Sequence, residues 1–135
     1  MTPIPVYDLV RHWDEIAAIL APAVATDRRS IDEVKVALIS RDMTAWMIPG
    51  GMLVTAEGQS LSADIRSMWI LYVAGKATGR GEYRALSTEL AALGRQRGCK
   101  ALSIEGRRAA KWARVLGGFK HVKGTGDDAL FRRLI

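Results

Sequence analysis

The run Met68-Trp69-Ile70-Leu71-Tyr72-Val73-Ala74 limits what this chain can fold into. It is apolar at odd and even positions alike, so a strand built from it must be covered on both faces. Gly75 closes the run, and Lys76-Ala77-Thr78-Gly79-Arg80-Gly81 follows as a basic loop punctuated by glycine. Tyr83, Leu86, Leu90 and Leu93 then recur at three or four residues, which predicts an amphipathic helix ended by Gly98. Ala101–Glu105 reads as a short strand, and a second helical stretch runs from about Arg108 to Gly117-Gly118-Phe119. A covered strand, a helix and a second strand make a right-handed crossover unit whose first turn is free to bind a ligand.

The rest of the chain is arranged around that unit. Pro3 and Pro5 keep the first residues extended. Val6, Val10, Trp13, Ala17 and Leu20 predict one helix, with Pro22 ending or kinking it near Leu20. Ser30-Ile31-Asp32-Glu33 has the form of a capping box, opening a shorter helix with Val34, Leu38 and Ile39 on its inner side. Thr44–Ile48 and Met52–Ala56 flank Pro49-Gly50-Gly51 and predict a hairpin. Glu57–Ser60 reads as a further turn, and only the last residues of Ser62–Arg66 are placed, at the entry to the central strand. After the central unit come a strand at Lys120–Lys123, a turn at Gly124–Asp128 and a closing strand at Ala129–Ile135. The expectation is a mixed α/β (α+β) domain over residues 1–135, with six or seven strands, one parallel pair at the centre and about four flanking helices.

Composition narrows the setting. Hydrophobic residues at 49% and charged residues at 25% describe a folded domain rather than a disordered chain. No apolar run reaches the roughly 20 residues that span a bilayer, and Met1–Pro5 lacks the basic start of a signal peptide. One cysteine, Cys99, leaves no internal disulfide and no thiol cluster for zinc, so a reduced, cytoplasmic setting is expected. Residues 1–75 hold 6 Lys/Arg against 9 Asp/Glu, a balance of −3, whereas residues 76–135 hold 14 against 5, a balance of +9. The positive field therefore begins at the glycine loop and favours a phosphate-bearing ligand or a polyanion, or is simply a solvated surface.

Several side chains invite a functional reading beside a structural one. Glu105 ends a strand at the carboxyl edge, where open α/β sheets bind ligands; it could act as a base or pair with Arg107, Arg108 or Lys111. Lys76 and Arg80 could hold phosphates or belong to a solvated loop. Tyr72 faces either the core or a cleft, and in a cleft its phenol could give a proton to a thiolate. Cys99 has no His or Asp partner in a nucleophile motif and reads as structural. His12 and His121 are too scattered to make a metal site. Trp13, Trp46 and Trp69 fall on predicted apolar faces, and Trp112 packs on the sheet or offers a stacking surface.

In element order the chain resembles the acyl-CoA N-acyltransferase superfamily, the GNAT fold. Lys76-Ala77-Thr78-Gly79-Arg80-Gly81 is similar to that family's Gln/Arg-x-x-Gly-x-Gly/Ala pyrophosphate loop, with Lys at the first position. Gly98-Cys99-x-x-Leu102-x-Ile104-Glu105-Gly106-Arg107 and the Gly118-Phe119 pair carry the likeness further. More narrowly, the chain is similar to small GNAT-like proteins encoded by tailed bacteriophages, some of them virion or assembly components. The resemblance implies acetyl-CoA or CoA as ligand, with pyrophosphate on the backbone at Lys76, Thr78, Gly79, Arg80 and Gly81. It also implies pantetheine along the backbone of Val73, Ala74 and Gly75, between two parallel strands that splay apart. Arg114 stands where many active members carry a proton-donating Tyr, and Arg107 where they carry an Asn. Two functions are consistent with this. One is acetyl transfer to an amine by direct attack, with Glu105 or water taking the proton. The other is a catalytically degenerate phage protein that self-associates or binds virion proteins. Nucleic-acid binding through the basic half ranks last, because no groove-reading motif is present.

Overall fold

The computed structural model describes residues 1–59, 65–75 and 80–135, with Arg80 described by its backbone alone. Among them are seven strands and five α-helices in one mixed sheet of order β1-β2-β3-β4-β5-β7-β6. The chain divides into two compact units, Met1–Ala56 with Leu71–Ala77, and Glu57–Ile70 with Thr78–Ile135.

The first unit packs three helices, α1 (Val6–Arg11), α2 (Trp13–Val24) and α3 (Ile31–Ile39), with β1 (Thr2–Pro3), β2 (Thr44–Ile48), β3 (Gly51–Gly58, to Ala56) and the end of β4 (Ser67–Gly75). The predicted single N-terminal helix is two. His12, at φ −112° and ψ 26°, leaves helical geometry and resets the helical phase. Leu9 is thus buried in α1 and Ile16, Leu20 and Val24 in α2, while Val10 is 57% exposed. Pro22 does not stop α2 at Leu20; the helix runs on to Val24, whose side chain completes an i, i+4, i+8 apolar row. The capping box forms as expected: the Ser30 hydroxyl accepts from the Glu33 N–H at 3.1 Å, and the Glu33 carboxylate accepts from the Ser30 N–H at 3.3 Å. Val34 and Leu38 are buried, but Ile39 is exposed, one residue past the inward row.

β1, an extension predicted but not as a strand, pairs antiparallel with β2 at Thr2↔Met47 and Pro3↔Trp46. The β2–β3 hairpin is in register from Thr44↔Thr55 to Ile48↔Gly51, joined by Pro49-Gly50 with Gly50 at φ +77°. Trp46 is buried, and its indole N–H donates to Thr55 Oγ1 at 2.9 Å. β3 runs through Glu57 and Gly58, where a turn is expected from the sequence. Ser60 and most of Ser62–Arg66 lie outside the described residues.

The second unit contains the first half of β4, α4 (Arg80–Gln96), β5 (Ala101–Glu105), α5 (Ala109–Leu116), β6 (Lys120–Lys123), a short 3-10 turn at Gly126–Asp128 and β7 (Leu130–Leu134). β4 pairs parallel with β5, and β7 runs antiparallel to both β5 and β6. Gly98, at φ +76°, turns α4 into β5, and the Cys99 N–H closes the helix end on the Gly94 carbonyl at 2.8 Å. α4 and α5 pack against β5 and against each other, on one face. Tyr83 of α4 meets Trp112 of α5 edge-on at 5.5 Å. Glu57 binds Arg97 at 2.7 Å and Arg66 at 3.3 Å, tying the end of β3 to the residues that flank α4 and β4.

Candidate functional site

Local rules place the two ends of the loop that opens α4. On the strand side, the end of β4 is held by backbone rather than side chains. A Cβ built on Gly51 would lie 1.8 Å from the Ala74 carbonyl oxygen, and one on Gly75 would lie 2.2 Å from the Gly50 carbonyl oxygen. Gly75 itself has φ +116°, a conformation that a side chain would strain. The hairpin turn therefore presses on the last residues of β4 and fixes where the loop begins. Val73 is 9% exposed, Ala74 is half-buried and Gly75 is exposed.

On the helix side, α4 starts at Arg80 with Gly81 exposed in its first turn, and a Cβ on Gly81 would meet nothing within 4 Å. The first N–H groups of a helix have no partner within it and carry partial positive charge. Glu82 is the acidic residue of this first turn. Lys76, Thr78 and Gly79 lie outside the described residues, as does the Arg80 side chain.

The parallel register between β4 and β5 runs Ser67↔Ala101, Met68↔Leu102 and Trp69↔Ser103, and extends no further among the described residues. β4 itself continues to Gly75. From Leu71 onward its backbone belongs to the first unit.

Tyr72 is buried at 5% exposure in the first unit's core, among Leu20, Val34, Leu38, Met43 and Met52. Its phenol donates a short hydrogen bond to the Asp27 carboxylate, on the connection between α2 and α3. Asp27 also accepts from the Arg28 N–H at 2.7 Å and pairs with Arg29 at 2.9 Å. Burial, followed by the bond to Asp27, pushes the Tyr72 hydroxyl up to about 12. Burial also works against Asp27 ionisation, but the Tyr72 bond, the Arg28 N–H and Arg29 outweigh it and hold the carboxyl below its usual range. The cluster is a neutral phenol locked to a carboxylate, with the proton kept on tyrosine. Nothing in the sequence around Asp27 announces this role, because a partner 45 residues away leaves no local signal.

Glu105 is exposed at the end of β5, opposite Leu130 of β7. Arg107, one of its expected ion-pair partners, is engaged by Asp127 at 2.8 Å instead. Cys99 is 2% exposed, and burial raises its thiol above the ordinary value. His121 Nε2 lies 2.7 Å from the Gly124 carbonyl, and its ring tilts against Phe131 at 5.1 Å. His12 is exposed near Glu15. Among the described residues no group of three or more His, Cys, Asp or Glu could hold a metal ion, and no helix is long and apolar enough to cross a membrane. Trp112 is half-buried between Tyr83 and the Lys111 ammonium, which sits 5.2 Å from its ring centre. Trp13 and Trp69 are half-buried too, the latter donating to the Gly58 carbonyl at 3.3 Å.

No protein-family model and no curated protein sequence matches the chain. Solved structures do. N-acetylglutamate synthase from Neisseria gonorrhoeae, complexed with coenzyme A and N-acetyl-glutamate, superposes with a TM-score of 0.61 at 15% identity over 91% of this chain. The chain spans only 32% of that synthase. The PaiA N-acetyltransferase from Thermoplasma acidophilum, complexed with coenzyme A, superposes with a TM-score of 0.58 at 15% identity, over 98% of this chain and 96% of its own.

Proposed function

With the GNAT acetyltransferase fold as premise, we propose that this chain is an acyl-CoA-dependent N-acyltransferase, moving an acyl group (acetyl in the simplest case) onto an amine by direct attack. The observation that carries the reading is the extent of the likeness to a CoA-complexed acetyltransferase of nearly the same span. The open backbone at Gly81 fits it, since a pyrophosphate needs close approach to helix N-terminal amides and no side chain stands there.

Bound acyl-CoA supplies a thioester carbonyl activated toward nucleophiles. The backbone of Val73, Ala74 and Gly75, along the part of β4 beyond its paired register, would hold the pantetheine amides. Lys76, Thr78, Gly79, Arg80 and Gly81 would hold the pyrophosphate, the amides by hydrogen bonds and the cations by charge. Glu105, or a water beside it, takes the proton that the amine sheds as its C–N bond forms and the C–S bond breaks. Tyr72 does not serve as the acid in this scheme: its proton is held at Asp27, so water protonates the departing sulfur.

Thiol release from acetyl-CoA in the presence of a panel of amines tests the reading. Amine-dependent release is expected, and Glu105→Gln should lower kcat/KM by roughly a hundredfold. Folded protein that releases no thiol with any amine contradicts it.

A further inference from the structure

β7 carries two adjacent arginines that strand alternation sends to opposite faces of the second unit's sheet. Arg133 goes to the face covered by α4, where its Nη1 donates to Ser87 Oγ at 2.7 Å and reaches the Ser87 carbonyl at 3.5 Å. On that side a Cβ at Gly94 of α4 would lie 2.7 Å from Ile135 and 3.6 Å from Leu102. Arg132 goes to the face that bears neither α4 nor α5. Its ladder partners are Ser103 on β5 and Lys120 on β6. Its Nε is buried and has no hydrogen-bond partner among the described residues.

Nothing described on this face answers the charge. Ser103, buried and directly opposite, donates to Ser67 Oγ at 2.9 Å, and its oxygen does not accept from the Arg132 Nε–H. Lys120, on the other side, is exposed and is a second cation. Glu105 shares the face two residues along β5, and among the described residues it makes no ion pair with either. Like charges directly opposed on neighbouring strands repel. A buried guanidinium N–H without an acceptor has given up its hydrogen bond to water for nothing.

A single group removes both costs. It must be anionic and offer two coplanar oxygens, so that one meets Nε–H side-on and the other a neighbouring Nη–H. A carboxylate has that shape and one charge to desolvate; a phosphate dianion is tetrahedral and costs more to bring out of water. We propose that Arg132, with Lys120 beside it, is a binding site for the carboxylate of a small molecule. The site stands whether or not the chain binds acyl-CoA.

The test is a titration of the full chain followed through the ¹H–¹⁵N signals of arginine Nε–H groups. Sodium succinate is the probe, with sodium chloride at matched ionic strength and sodium phosphate as the other arms. The Arg132 signal should move and saturate at millimolar succinate while the Arg133 signal, on the opposite face under α4, stays still. Arg132→Lys, which keeps the charge but loses the fork, should weaken succinate about tenfold; Lys120→Gln, at an exposed position, should weaken it about threefold. An equal response to chloride, tighter binding of phosphate than of succinate, or unchanged affinity in a folded variant overturns the proposal. If Arg132→Lys does not fold, Lys120→Gln alone decides, and unchanged affinity there overturns it.

Discussion

The two ends of the loop between β4 and α4 both carry glycine, and they carry it for different reasons. At the strand end, Gly51 and Gly75 leave no room: a Cβ on either would lie within 2.2 Å of a backbone carbonyl oxygen. At the helix end, a Cβ on Gly81 would meet nothing within 4 Å. A glycine that is jammed against backbone is needed by the fold. A glycine with open space around it is needed by something else, or not needed at all. The same residue type thus separates a structural requirement from a candidate binding surface.

Gly51→Ala challenges the first half of that contrast and should have the largest effect. The carbonyl of Ala74 cannot yield as a flexible side chain would, so a loss of about 3 kcal/mol or more is expected in denaturant unfolding. Gly81→Ala sharpens the second half. In a helix an alanine is better than glycine by about 0.5–1 kcal/mol, so stability should hold or rise, while affinity for acetyl-CoA should fall about tenfold as a methyl enters the phosphate's approach. A variant equally stable and equally tight would leave Gly81 with no role.

Tyr72→Phe probes the region just before the jammed glycines. Losing a buried bond to a charged acceptor should cost about 1.5–3 kcal/mol. The pH dependence separates this from simple packing. Tyr72 is raised from 10.0 to about 12 in the folded chain, so its contribution is complete below pH 10 and is lost as pH climbs through about 12. Asp27 is lowered, so its contribution is present above the ordinary carboxylate value and fades as pH falls through the depressed one. The variant should flatten the alkaline limb of the stability profile; an unaltered limb would show that Tyr72 does not titrate there. The smallest effect is expected from Ser30→Ala, about 1 kcal/mol by thermal unfolding, because it removes the hydroxyl that caps α3.

These regions also differ in how far the sequence revealed them. The covered strand, the stop at Gly98, β5, β6 and the capping box at Ser30 are set by neighbours a few residues apart, and periodicity or a single glycine reports them. The break at His12 was hidden because Val6, Val10, Trp13, Ala17 and Leu20 make a plausible single face, whereas packing against α3 selects Leu9 and then Ile16. Pro22 predicts an end or a kink near Leu20, yet it lies inside α2 and the burial of Val24 draws the helix onward. β3 outlasts its expected end because Glu57 is fixed by Arg66 and Arg97, the latter 40 residues away. The pairing of Tyr72 with Asp27 is a product of how the α2–α3 connection packs on β4, and the stranded Nε of Arg132 is a product of strand register. Pattern within a window says that these residues exist, and not what they face.

Calorimetric titration of acetyl-CoA into the wild-type chain and into Gly81→Ala bears most directly on whether the open helix start binds a phosphate. Saturable heat from the wild type, with clearly weaker binding in an equally stable variant, is the predicted result. No heat at millimolar acetyl-CoA from folded wild-type protein would contradict it.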